Sequence, residues 1–106
     1  MAWLYLIAAG LFEIGWPVGL KIAENPDSRV RGIITAVLFM AVSGALLLLA
    51  QRVIPMGTAY AIWTGIGAVG TLIVGILVYG EPSGVMRLGS ASLIVIGIVG
   101  LKLAHG

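Results

Sequence analysis

The chain has 106 residues, 60% of them hydrophobic and only 9% charged, with a mean hydropathy of +1.15. A water-soluble domain of this length needs far more polar surface, so the composition is that of a membrane protein. The net charge of +2 comes from six basic residues scattered along the chain, which form no patch for nucleic acid. With no cysteine, disulfides and thiolate metal sites are excluded.

A bilayer core takes about 20 apolar residues of helix. The first such run, residues 2–20, carries one charge, Glu13. It lacks the basic start of a secretory signal and is too long for a signal core, so it reads as a retained span. Residues 32–50 form an uncharged second span. The next uncharged run begins at Val53, but Pro55 suits a helix entrance, which leaves 57–79 as the third span. The fourth, 85–104, is uncharged from Leu88 to Leu101, and Arg87 and Lys102 at its ends can snorkel to lipid headgroups.

The connections are "KIAENPDSRVR", the one polar loop of any length, and the tight turns "QRVIP" and "GEPSG". Lys21, Glu24, Asp27 and Glu81 read as solvated ends. The expectation is an all-α membrane protein, one domain over residues 1–106, with four transmembrane helices that leave no room among them for a soluble catalytic domain. Lys21, Arg29, Arg31 and Arg87 fall on one side of the membrane and Arg52 and Lys102 on the other. That is a small bias for a rule that counts Lys and Arg, and a chain so balanced can insert either way.

Glu13 lies near the middle of the first span, where an acid costs about 2.5–3.5 kcal/mol on insertion scales. A carboxyl at that depth can hold a proton or a cation and exchange one for the other. The structural alternative is a protonated acid bonded between helices, a task that Gln performs without titrating. Trp16, at i+3, shares the face of Glu13, and Gly10, three residues earlier, gives that face room. Pro17 has no N–H, and its missing helical partner is the carbonyl of residue 13. The span should bend there, around a pocket or merely as a packing kink.

In the third span Tyr60 and Trp63 share a face and offer hydrogen bonds and π-faces to a cation, the alternative being an interfacial aromatic belt. Gly65, Gly67 and Gly70 follow, suited to close helix approach or to a bend. In the second span Ser43, one of two hydroxyls there with Thr35, can orient a carboxylate, although a hydroxyl in a helix commonly bonds back to its own backbone. Gly89, Gly97 and Gly100 give the fourth span a small-residue face for helix contact, including contact with a second copy. No metal-ligand cluster, nucleophile–base pair or phosphate loop occurs, so neither an enzyme nor a metal or other cofactor is expected.

Four short spans, the lone acid in "FEIGW", the string "PMGTAYAIWTGIGAVG" and the closing "GIVGLK" resemble the small multidrug resistance transporters, most closely their guanidinium-exporter branch. The resemblance covers essentially the whole chain. It implies an antiparallel, dual-topology homodimer of the bacterial inner membrane, an antiporter that exchanges protons for guanidinium or small guanidinyl cations by alternating access. It also implies that Glu13 binds both proton and substrate, with Trp16, Ser43, Tyr60 and Trp63 around it and Gly65 and Gly67 as the bend. Trp three residues after the acid points to the guanidinium branch. Two departures stand out: Pro17, where members usually carry a small residue, and a longer, more acidic first loop, "AENPDSR". The rival readings are export of quaternary ammonium drugs, an ion channel, and a structural membrane subunit.

Overall fold

A computed structural model describes residues 1–105 as a set of α-helices: α1 (Ala2–Glu13), α2 (Gly15–Ala23), α3 (Arg29–Gln51), α4 (Met56–Tyr79) and α5 (Val85–His105), with a 3-10 turn at Pro26–Ser28. Four segments are long and apolar enough to cross a membrane: Ala2–Ala23, Pro26–Gln51, Met56–Tyr79 and Val85–Ala104. The first of them is α1 and α2 together.

The break between α1 and α2 falls where the proline dictates. Pro17 cannot donate to the Glu13 carbonyl. At Ile14 the backbone keeps helical dihedrals (φ −63°, ψ −33°), but its N–H reaches back three residues to the Leu11 carbonyl at 3.3 Å. The turn therefore tightens to 3-10 geometry before the helix resumes at Gly15.

The first connection is shorter than its polarity suggests. Residues 21–31 read as loop, yet α2 runs to Ala23 and α3 starts at Arg29. The terminal carbonyls explain the difference, because a helix can continue only while its orphan groups find partners. Ser28 Oγ donates to the Ile22 carbonyl at 2.8 Å, and Arg29 Nε donates to the Ala23 carbonyl at 3.3 Å. Asn25 Oδ1 accepts from the Asp27 N–H at 3.0 Å and starts the 3-10 turn. Residues that look like loop thus cap the helix they follow.

Two kinds of packing hold the bundle. At one end Leu6, Ala50, Ile54, Ala59 and Ile62 form a buried cluster, with Trp3, Leu47 and Trp63 packed around it. Ile54, 1% exposed, carries the α3–α4 turn into this cluster. Pro55 then opens α4 and accepts from the Ala59 N–H at 2.9 Å. Toward the other end α2 and α3 meet backbone to backbone: a Cβ on Gly19 would lie 2.6 Å from the Ala36 nitrogen, and one on Gly32 would strike the Ala23 nitrogen. Small residues permit that approach, and apolar side chains in lipid gain more from such contact than from burial alone.

α4 ends at Gly80, whose φ of +68° only glycine adopts readily, and the Glu81 N–H returns to the Gly75 carbonyl at 3.0 Å. α5 packs on α4, with Ile94 and Ile98 filling the space over Gly65. Its other faces are bare: Leu93 is 70% exposed, and a Cβ at Gly89, Gly97 or Gly100 would meet nothing within 4 Å.

Gly32→Val should therefore lower stability by about 1–3 kcal/mol, since the backbone it strikes cannot move aside. Gly44→Ala, with open space around it, should be neutral or slightly stabilising. Thermal unfolding of both variants in detergent checks the contrast.

Candidate functional site

Glu13 is the last residue of α1, at the break. Its side chain lies over Gly67 of α4, where a Cβ would come within 2.5 Å of Glu13 Cγ. The neighbouring junction residues are seated the same way: Ile14 fills the space over Gly70, and the Phe39 ring of α3 covers Gly15. Phe39 also stacks on Phe12, with ring centroids 5.6 Å apart. Glycine is needed at these positions because only a hydrogen fits.

The carboxylate borders a cavity of ≈ 290 Å³. The first span contributes Glu13, Trp16 and Pro17, and α4 contributes Thr64, Gly67, Ala68 and Thr71. The Glu13 side chain makes no hydrogen bond or ion pair among the described residues. Among the described residues the two ion pairs are both peripheral, Lys21–Glu24 at 3.3 Å and Arg87–Glu81 at 3.4 Å. No group of His, Cys, Asp and Glu able to hold a metal occurs among the described residues.

Beside the cavity, three spans are tied through one hydroxyl. Ser43, fully buried, donates from Oγ to the Ala9 carbonyl at 2.7 Å and accepts from Trp63 Nε1–H at 2.8 Å. Thr35, Ser90 and Ser92 instead bond carbonyls of their own helices four residues back, the ordinary habit of a hydroxyl in a helix. Ser43 has escaped that habit because a better-placed acceptor lies across the interface. The Tyr60 ring rests on Trp63, centroids 5.4 Å apart and tilted by 58°, and is itself 56% exposed.

The residues singled out by sequence thus separate into groups. Glu13, Trp16, Pro17 and Gly67 come together around one cavity, and Ser43, Tyr60 and Trp63 form an adjoining chain of contacts outside its lining. Gly10, expected to give the acid room, is occupied by Ile66, which would lie 2.7 Å from a Cβ there. Gly65 receives Ile98, and α4 runs through Gly65 and Gly67 without interruption. Gly89, Gly97 and Gly100 stay uncovered. Thr64 and Thr71 are lining residues that sequence reasoning missed. The signal was present: positions 64, 67, 68 and 71 form one helical stripe of small and hydroxyl side chains.

An acid lining a cavity at membrane depth marks a path for ions or substrate, and in a chain of four membrane-crossing segments it defines a small multi-pass transport protein. The chain belongs to the Small Multidrug Resistance protein family, whose profile matches residues 1–96. It is 52% identical over 104 residues to the guanidinium exporter of Escherichia coli (strain K12), covering 98% of each chain. Against the guanidinium exporter of Proteus vulgaris the identity is 53%, and against that of Yersinia pseudotuberculosis 51%, each over 98% of this chain and 99% of the relative. These relatives are transporters rather than enzymes, and the chain is a multi-pass protein of the bacterial inner membrane.

Ser43→Ala should cost about 1–3 kcal/mol of stability, because it leaves the Trp63 indole N–H buried without its acceptor. A shift of the Trp63 indole resonance in NMR spectra, with the Trp16 resonance unmoved, would show that the loss is local.

Proposed function

We propose that this chain exports guanidinium, or small guanidinyl cations, in exchange for protons, and that Glu13 carries both in turn. The observation that carries the reading is the 52% identity, over 98% of both chains, to a guanidinium exporter. The geometry around Glu13 is in keeping with it. Guanidinium is planar and presents paired N–H donors that match a carboxylate, as in bidentate Arg pairs. The Thr64 and Thr71 hydroxyls can accept further donors, and the Trp16 indole offers a π-face to the cation.

Coupling follows from competition. A proton on Glu13 removes the charge that holds the cation, and a bound cation disfavours the proton, so one side chain serves both ligands alternately. In the homodimer proposed here, antiparallel and inserted in both orientations, two Glu13 side chains face one shared site. Alternating access requires that the site open to one side at a time, and the break at Ile14 together with the glycines of α4 is where that bending would fall. The bare glycine face of α5 is available for the partner copy.

The second reading is export of bulkier quaternary ammonium ions. The family's multidrug name and a cavity of ≈ 290 Å³, much larger than a guanidinium ion, favour it. Uptake assays in proteoliposomes separate the two: a guanidinium exporter rejects bulky quaternary cations that a multidrug exporter carries.

Glu13→Gln should abolish proton-driven guanidinium uptake, and binding to the unmutated protein should weaken steadily as the pH is lowered, because protons compete for the carboxylate. Cation exchange driven by a proton gradient in the Gln variant would remove Glu13 from the coupling role. Pro17→Ala should change guanidinium affinity or turnover several-fold; identical values would reduce the proline to a packing kink.

A further inference from the structure

A second cavity, of ≈ 320 Å³, opens where α2 and the end of α4 reach the membrane boundary. Trp16, Pro17 and Thr71 line both this cavity and the one at Glu13, so the two are neighbours across a shared wall. Its outer part is chemically different. Lys21 and Glu24 enter from α2 and its end, and Tyr79 and Glu81 from the end of α4.

The protein's own cations already occupy cation positions here. Lys21 Nζ bonds Glu24 Oε1 at 3.3 Å and lies 5.7 Å from the centroid of the Tyr79 ring. Arg87, a guanidinium, donates from Nη2 to Glu81 Oε1 at 3.4 Å. The Glu81 carboxylate also covers Gly75, another cavity residue, where a Cβ would collide with it. Thus a carboxylate–ammonium–aromatic arrangement and a carboxylate–guanidinium pair lie on the rim of a cavity that adjoins Glu13. Both pairs are partly exposed, with side chains 41–68% accessible, and exposed pairs are weak enough for a dissolved cation to displace.

We infer that this cavity is an outer cation site, in which a small guanidinium-class cation rests on the Tyr79 ring against Glu24 or Glu81 before it passes Thr71 to Glu13. This rests on the transport reading above and adds a waiting position to it. The ring supplies a face for a flat cation, and the carboxylates match its paired N–H donors. Glu24 and Glu81 offset Lys21 and Arg87 at the mouth; without them the two cations would repel an arriving substrate and slow its capture, an effect that added salt weakens. Lys21 and Arg87 keep the mouth neutral until a substrate displaces them. Recruitment of this kind acts at low substrate concentration and leaves turnover at saturation to the inner site.

The test is guanidinium uptake into proteoliposomes at low and at high salt, with KM and kcat measured separately. Glu24→Gln combined with Glu81→Gln should raise KM about three- to tenfold at low salt, and the difference should shrink at about 0.5 M salt. Tyr79→Leu should raise KM about as much at either salt concentration, and Tyr79→Phe, which keeps the π-face, should recover most of the loss. Unchanged KM in the Gln pair and in Tyr79→Leu, or a fall in kcat alone, overturns the outer site while leaving the transport reading intact. Absence of guanidinium uptake by the unmutated protein overturns both.

Discussion

A backbone carbonyl in hydrocarbon must find a donor within the protein, and Pro17 denies one to the carbonyl of Glu13. The first span cannot continue unbroken past that point, and its two halves then take different partners. α1 packs against α3 and α4, held by the Ser43 bond to Ala9 and by Ile66 over Gly10. α2 packs chiefly against α3, through the Gly19–Gly32 approach and the bonds from Ser28 and Arg29 to its last carbonyls. Glu13 therefore stands at the junction of two differently anchored segments, which is where a small relative movement displaces a side chain most.

Irregular backbone at membrane depth persists only where protein covers it or a cavity adjoins it, and here both conditions hold. Gly67 and Gly70 of α4 seat Glu13 and Ile14, and Phe39 of α3 covers Gly15. The cavity opens beside the seated acid, with Thr64 and Thr71 one turn to either side of Gly67 and Ala68. A single stripe of α4 thus performs two tasks: its glycines admit the break, and its hydroxyls provide polar groups near the Glu13 carboxyl. Ser43 adds rigidity nearby, since its bonds to Ala9 and Trp63 fix three spans in one register.

How much of this could be read from sequence depended on the range of the interaction. The spans were legible because uninterrupted apolar runs bounded by charge have few other uses. Glu13, Trp16 and Pro17 were legible as a unit because helical spacing and a missing N–H act within one turn. The extent of α2 and α3 was not, because Ser28 and Arg29 look like loop residues until their bonds to Ile22 and Ala23 are seen. The acceptor of Ser43 lies 34 residues away, beyond any local pattern. Gly10 shows a different ambiguity: a glycine that makes room for a ligand and one that makes room for Ile66 have the same sequence signature. Thr64 and Thr71 were within reach, since their spacing alone places them on the face of Gly67.

The fourth span takes little part in any of this. No α5 residue lines the Glu13 cavity, and its main neighbour is α4, with Lys102 placing its ammonium 4.7 Å from the centroid of the Trp3 ring. A helix that contributes nothing to the site and leaves Gly89, Gly97 and Gly100 uncovered has spare surface of the kind that lets backbones approach closely. Its own hydroxyls, Ser90 and Ser92, are turned back on the Met86 and Leu88 carbonyls, so no polar group on them goes unmatched if that surface meets lipid or another helix. The first and third spans line the carboxylate site, the second braces them through Ser43, and the fourth keeps its glycine face uncovered. In the proposed dimer such a division would let the site flex around Glu13 while the α5 contacts stay fixed.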